Sequence, residues 1–128
     1  MTYRSVKVYN GSSWDDLAVA IANPQQRPVS TVSGTTYTLA LSDAGKFLQF
    51  TNGSSISVTI PTNASVAFTI GQTLVIEQYA AGVVTVAGDT GVTLRSRGSR
   101  NKTNGQYAEI TLTKLGTDQW SLSGDATS

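Results

Sequence analysis

Short runs in which apolar and polar residues alternate recur between residues 35 and 124, and turn residues separate them. A period of two places every second side chain on the same face of an extended strand. The clearest run is 55–60 (SISVTI), where Ile56, Val58 and Ile60 share one face and Pro61 ends the strand. About seven to nine such short strands predict an all-β fold, an antiparallel sandwich or barrel. No fixed-period repeat is visible, so we do not expect a solenoid or a propeller.

The composition fits this prediction and excludes several kinds of chemistry. Charged residues make up only 13% of the chain, against an average of about 25%, while Thr (18) and Ser (15) are abundant. There is no His and no Cys, which excludes an imidazole base, a thiol nucleophile and a zinc site of the usual ligands. A Ser or Thr nucleophile would therefore lack the usual base to activate it.

The acidic residues do not form a recognisable catalytic or metal-binding pattern. Asp15 and Asp16 are adjacent in sequence, whereas a glycosidase needs two carboxylates that face each other across about 5–10 Å. No run has acids at the alternating positions of a calcium loop. The remaining acids are scattered: Asp43, Glu77, Asp89, Glu109, Asp118 and Asp125. We therefore expect a protein that is not an enzyme, with no catalytic residue, no metal site and no cofactor.

Residues 1–33 are predicted to form an N-terminal docking arm and linker. Residues 5–9 (SVKVY) alternate as a short strand, and Asn10-Gly11 is typical of a turn. A short helix is predicted to begin at Trp14, with Ser13 as its N-cap. Residues 23–34 (NPQQRPVSTVSG) have the composition of a linker.

The predicted helix would carry one apolar stripe, formed by Trp14, Leu17, Ala18 and Ile21 at helical spacing. A helix of about two turns is marginal alone, so the stripe must pack against something. We predict Trp14, Leu17 and Ile21 as the docking residues of the arm, and residues 34–128 as the β-domain.

Four basic residues fall within eight positions: Arg95, Arg97, Arg100 and Lys102. The segment is predicted to be either a solvated loop tip or a contact with something acidic, such as another subunit, a larger particle or an anionic glycan. The net charge of the chain is only +1, and no aromatic residues lie between the basic ones, so we expect no nucleic-acid partner.

Three aromatic residues of the predicted strands suggest alternatives. Tyr79, Tyr107 and Trp120 could form a platform on which a sugar stacks, or could fill the core or a subunit interface. The polar neighbours of Trp120 predict that its side chain points inward. Tyr79 and Tyr107 remain candidates for a glycan site or an interface.

The ordered series of short motifs over about residues 30–125 resembles a small all-β module found in virion proteins of tailed bacteriophages. That module occurs in head decoration and head fibre proteins, minor tail proteins and tail fibres. The matching segments are 37–39 (YTL), 42–51 (SDAGKFLQFT), 58–61 (VTIP), 68–71 (FTIG), 75–78 (VIEQ), 91–94 (GVTL), 105–108 (GQYA), 112–115 (LTKL) and 118–125 (DQWSLSGD).

The resemblance implies a non-enzymatic virion component, commonly trimeric, and supplies no catalytic residues. We expect a homotrimer that decorates the capsid, docked through the arm onto the major capsid protein or another virion subunit. The alternative is a tail-tip or tail-fibre module that binds a host receptor or glycan. The longest apolar run, residues 17–22, is far below the ~20 residues needed to cross a bilayer. We expect synthesis in the host cytoplasm without a signal peptide, and no membrane partner.

Overall fold

Two mixed β-sheets form a sandwich from residue 29 onward. The computed structural model describes residues 7–9 and 14–16, for which only the backbone is considered, and residues 27–128. The strands of the sandwich are β3 (Val29–Val32), β4 (Thr36–Thr38), β5 (Phe47–Phe50), β6 (Ile56–Ile60), β7 (Thr73–Gln78), β8 (Val84–Gly88), β9 (Thr93–Ser96), β10 (Lys102–Thr103), β11 (Glu109–Gly116), β12 (Gln119–Gly124) and β13 (Ala126–Thr127). The prediction of an all-β fold is confirmed.

One sheet has six strands in the order β3-β5-β7-β11-β12-β9, and the other has five in the order β13-β10-β8-β6-β4. The eleven strands slightly exceed the predicted number. The sheets are also mixed rather than antiparallel throughout, because β3, β5 and β7 pair in parallel, as do β4, β6 and β8.

The parallel pairs arise because the chain changes sheet after each strand from β3 to β8. Successive strands therefore wind as a flattened coil of three turns: β3 with β4, β5 with β6, and β7 with β8. Val29 pairs with Phe47 and Phe47 with Val75, which is a spacing of 18 residues and then 28. The coil is solenoid-like without a sequence repeat, so no fixed period in the sequence indicates it.

The core lies between the inner faces of the two sheets. The run 55–60 behaves as its alternation predicts, since Ile56, Val58 and Ile60 are buried and Ser57 is exposed. Trp120 is also buried, as predicted, and its ring meets that of Phe68 edge to face with centroids 5.1 Å apart. Large aromatic side chains of this kind dominate the apolar area that a small domain removes from water.

A buried polar link joins the two sheets. Thr103 of β10 donates its hydroxyl proton to Oε1 of Gln78 of β7 over 2.6 Å, and its Oγ1 accepts the backbone N–H of Val84. The Gln78 amide donates to the carbonyl oxygens of Ala80 and Ala81. All the polar atoms of this link are thereby satisfied, as buried polar groups must be.

The N-terminal segment contains two short strands. β1 (Lys7–Tyr9) and β2 (Trp14–Asp16) pair antiparallel, with Tyr9 opposite Trp14. The prediction of a strand over 5–9 is confirmed for its described residues, but the predicted helix start at Trp14 is wrong. Four residues that include Asn10-Gly11 connect the two strands, and pairing with β1 gives the backbone groups of β2 hydrogen-bond partners. An isolated helix of two turns, in contrast, is only marginally stable.

The sandwich begins within the predicted arm and linker, because β3 is an integral strand of the six-stranded sheet. The backbone N–H of Phe47 donates to the carbonyl oxygen of Pro28, which fixes the chain just before β3 against the neighbouring strand β5. Any arm that is separate from the sandwich therefore ends near Arg27.

Candidate functional site

Three of the four predicted basic residues line one surface pocket, which we call the arginine pocket. It has a volume of about 530 Å³. Its lining consists of Arg95, Ser96, Arg97, Arg100, Ser121, Leu122, Ser123, Gly124 and Ala126. Pockets of about 300–1,000 Å³ are of the size that holds small ligands.

The pocket forms where the edge strand β9 ends. β9 lies parallel to β12, with Arg95 opposite Ser121, and its last residue, Ser96, is opposite Leu122. β12 continues beyond that point as Ser123 and Gly124, while the chain after β9 leaves for the five-stranded sheet. The space between this departing connection and β12 and β13 is the pocket.

The connection after β9 is a tight turn that keeps the arginines exposed. It is a 3-10 turn over Arg97–Ser99, and both Gly98 (φ 65°) and Ser99 (φ 55°) adopt left-handed backbone angles. Glycine adopts such angles without steric cost. Arg95, Arg97 and Arg100 are all exposed.

Lys102 is separate from these arginines. It lies in β10, half-buried, with Thr85 and Thr127 as its neighbours in the five-stranded sheet. It does not line the pocket. The structure therefore brings together three of the four predicted basic contacts and leaves the fourth in the sheet.

The pocket lining can bind an oxyanion. It contains three guanidinium groups and no carboxylate. Each guanidinium has five N–H donors in a planar fork that matches a carboxylate or a phosphate. Ser96, Ser121 and Ser123 add hydroxyls that can both donate and accept hydrogen bonds.

The serines of this pocket were not predicted from the sequence. Alternation along β12 could place Ser121 and Ser123 on the face opposite to Trp120 and Leu122. It could not show that β12 lies beside β9, because the pairing of two parallel strands leaves no local signal in the sequence.

The two predicted tyrosines also come together. Tyr79 follows β7 and Tyr107 precedes β11, and these strands are antiparallel, so both residues lie at the same end of the six-stranded sheet. Their ring centroids are 6.0 Å apart and the rings are nearly perpendicular. They are 46% and 60% exposed, respectively. We call this pair the tyrosine pair and its end of the sandwich the tyrosine end.

Tyr107 is held in an unusual backbone conformation. Its φ of 69° lies in the left-handed region, which costs a residue with a Cβ about 1–3 kcal/mol. The Tyr107 N–H donates to the carbonyl oxygen of Gln78 over 2.6 Å, and the Gln106 side chain donates to the carbonyl oxygen of Tyr79 over 3.2 Å. These bonds hold both tyrosines in place while their rings face solvent.

Two acidic residues lie two positions from the tyrosines along β7 and β11. Glu77 of β7 and Glu109 of β11 are register partners, although they are 32 residues apart in sequence. The Gln49 side chain donates to Oε1 of Glu77 over 2.9 Å. In the sequence these acids look scattered, because neither gives a local signal of its partner.

An apolar surface lies at the opposite end of the sandwich. Leu41 lies in the 3-10 turn that leads into β5, Ile70 precedes β7, and Leu115 is the penultimate residue of β11. Val29 is the first residue of the edge strand β3 and lies level with Val75 of β7, and β3 runs in the same direction as β5 and β7, away from this end. All four side chains are exposed, and we call this end the apolar end. β7 has six residues, which span about 20 Å, so the apolar end and the tyrosine end are well separated.

Two of the three predicted docking residues of the arm, Leu17 and Ile21, lie outside the described residues. The third, Trp14, lies in β2 opposite Tyr9, and only its backbone position is described. Their role in docking stays a prediction.

Comparison of the sequence with family models finds no matching family, and comparison with curated proteins finds no matching relative. Within residues 7–9, 14–16 and 27–128, no helix is long and apolar enough to cross a membrane. The same residues contain no group of three or more acidic side chains placed to hold a metal ion.

Proposed function

We propose that this chain is a non-enzymatic structural protein of a tailed-bacteriophage virion, a trimer that decorates the capsid and attaches through its N-terminal arm. The resemblance over residues 30–125 supports the class of protein. The single observation that supports attachment through the arm is the position of the apolar end.

The chain enters the sandwich from the side of the apolar end, because β3 is parallel to β5 and β7. Arg27 and Pro28 lead directly into β3 there, and the Pro28 carbonyl oxygen is hydrogen-bonded to β5. Arg27, the first described residue before β3, is thus the point from which an arm formed by residues 1–26 would extend. Large apolar side chains exposed at one end of a domain can contribute to a protein contact. The arm and the apolar end could thus bind one surface of the capsid together.

The tyrosine pair lies at the end of the sandwich opposite to the apolar end, which is compatible with an orientation in which the apolar end faces the capsid. If the apolar end faces the capsid, the tyrosine end faces outward from the particle. The outer faces of the strands carry many Ser and Thr side chains, for example Thr31, Ser57 and Ser123, which suit a rigid surface exposed to water.

Attachment can be tested by co-sedimentation with capsids that lack the protein. Deleting residues 1–26 leaves every strand of the sandwich in place and should abolish co-sedimentation. The pair Leu41→Ser and Ile70→Ser should weaken it, whereas Tyr79→Ser, at the other end, removes an exposed apolar side chain as a matched control and should leave it unchanged. Circular dichroism should first show that each variant is folded. Undiminished binding by the deletion variant would overturn attachment through the arm.

The trimer is tested separately by light scattering of the purified protein at micromolar concentration. A mass of three chains supports the proposal. A monomer, both alone and after release from particles by mild denaturant, would contradict it.

The second candidate function is a tail-tip or tail-fibre module that binds a host glycan or receptor. The tyrosine pair favours it, because two exposed aromatic rings can stack on the C–H faces of sugars, and the exposed Glu109 lies two residues from Tyr107. Labelling the protein on intact particles would distinguish head from tail. Binding to host cells that is lost in both Tyr79→Ala and Tyr107→Ala would support this second function.

A further inference from the structure

The arginine pocket combines positive charge with a floor that is not charged. Gly124 and Ala126 contribute small or apolar surface, and Arg95, Arg97 and Arg100 contribute three cations. A ligand that fits such a lining has an anionic group and an apolar face in the same small unit.

The charge of the pocket is unusual for this chain. The sequence contains nine basic and eight acidic residues, so outside the three pocket arginines the chain has six basic and eight acidic residues and a net negative charge. Anions are therefore attracted to this side of the molecule in preference to the rest of it. Within residues 27–128, the side chains of these three arginines donate no hydrogen bond.

We propose that the arginine pocket binds an anionic sugar, one unit of an acidic polysaccharide that carries a carboxylate or a phosphate. The guanidinium forks would bind the oxyanion with two hydrogen bonds each. Ser121 and Ser123 would exchange hydrogen bonds with the sugar hydroxyls, and Ala126 would contact the C–H face of the ring.

The lining argues against single-stranded nucleic acid. It contains no aromatic side chain, and proteins that hold single-stranded nucleic acid stack the bases on aromatic rings. An acidic peptide is distinguished from a sugar by the titration described below. The proposal does not depend on where the protein lies in a virion, because the pocket belongs to the sandwich and lies away from the apolar end.

The test is calorimetric titration of the full chain with defined ligands at low and at physiological salt. The ligands are an oligomer of glucuronic acid, glucose 6-phosphate, a neutral glucose oligomer, a single-stranded oligonucleotide and a polyglutamate peptide. We expect the carboxylate sugar, the phosphate sugar or both to bind, the neutral oligomer to bind at least about tenfold more weakly, and affinity to fall with salt. The relative affinity of the two anionic sugars shows which oxyanion the pocket prefers.

Variants connect that binding to the pocket. Arg95→Gln and Arg97→Gln should each weaken binding of the anionic sugar by about tenfold, the usual effect of losing a charge-assisted hydrogen bond. Ser121→Ala should weaken binding of the sugars but not of inorganic phosphate. Lys102→Gln removes the same charge from the same segment outside the pocket and should change affinity less than about twofold.

Three results would overturn the proposal. They are no binding of either anionic sugar, tighter binding of the oligonucleotide or polyglutamate than of both sugars, and an equal loss of affinity in Lys102→Gln and Arg97→Gln. The last would mean that only net charge is recognised. Thermal unfolding of each variant, matched to the native protein, ensures that a loss of binding is not a loss of fold.

Discussion

The phenolic oxygen of Tyr37 lies 2.7 Å from Oδ2 of the buried Asp43 and donates a hydrogen bond to it. The same Oδ2 accepts the backbone N–H of Ala40 over 2.8 Å and so holds the turn that carries Leu41. Burial, and then the hydrogen bond and the negative charge of Asp43, raise the pKa of Tyr37 to about 12 from the ordinary 10.0. The phenol is therefore more easily ionised in the unfolded chain than in the folded one.

This difference predicts a loss of stability at alkaline pH. The stabilising contribution of Tyr37 is fully present below pH 10 and decreases as the pH rises from 10 towards 12, because only the unfolded state releases the proton there. The native protein should have a larger free energy of unfolding than Tyr37→Phe at pH 8. The difference between the two free energies should decrease between pH 10 and 12. Denaturant unfolding of both proteins across this range measures it. A difference that stays constant over the range would contradict the raised pKa.

We predict that a substitution by alanine destabilises the protein at Gly82 but not at Gly53. A Cβ on Gly82 would lie 2.0 Å from the carbonyl oxygen of Ser54 and 2.4 Å from that of Asn52, so the backbone would have to move. Gly82→Ala should lower the free energy of unfolding by about 1–3 kcal/mol or more. Gly53 is exposed, and a Cβ added there would have no atom within 4 Å, so Gly53→Ala should stay within about 0.5 kcal/mol of the native protein. If the two alanine variants unfolded at the same temperature, the close approach of Gly82 to the carbonyl oxygens of Ser54 and Asn52 would be refuted.

The buried link between the sheets predicts a cost for removing one hydroxyl. Thr103→Val leaves Oε1 of Gln78 without its donor and the N–H of Val84 without its acceptor. The expected destabilisation is about 1–3 kcal/mol. Thr111→Val is the control, because Thr111 is half-buried on a strand and makes no side-chain hydrogen bond within residues 27–128. It should be nearly neutral in denaturant unfolding, and a Thr103→Val protein as stable as this control would disprove the prediction.

The ammonium group of Lys114 is buried. We therefore predict that removing its hydrogen-bond partner lowers the stability of the protein more than removing the lysine itself. Its Nζ donates to Oδ1 of Asn63 over 2.7 Å and lies 5.6 Å from the centre of the Trp120 ring. Asn63→Ala leaves a buried charge without its acceptor, which should cost about 3 kcal/mol or more. Lys114→Met keeps much of the volume and leaves only a half-buried amide, so it should cost less than about 1.5 kcal/mol. If unfolding measurements gave the reverse order, the ammonium would have another stabilising contact.

The sequence predicted the features that depend on neighbouring residues. Alternation identified the strand from Ile56 to Ile60 and the inward side chain of Trp120, because a period of two is a local pattern. The concentration of arginines from Arg95 to Arg100 was equally visible. These properties need no knowledge of which strand lies beside which.

Pairing between distant segments was not predictable in the same way. Glu77 meets Glu109, and Arg95 meets Ser121, only because four strands of one sheet take a particular order. The strand pairing at Trp14 was not predicted, for a related reason. The apolar residues at helical spacing indicated a helix more strongly than Asn10-Gly11 indicated a turn. The helix would nevertheless have had few residues over which to form.

The coiled path from β3 to β8 also has a consequence for the rate at which the protein folds. Every parallel pair in it joins residues from different turns, such as Phe47 with Val75 and Ile56 with Val84, so a long loop must close before each ladder forms. Chains dominated by such distant contacts fold in milliseconds to seconds rather than microseconds. The newly made chain therefore passes through a slow search during which its apolar strands are exposed to water.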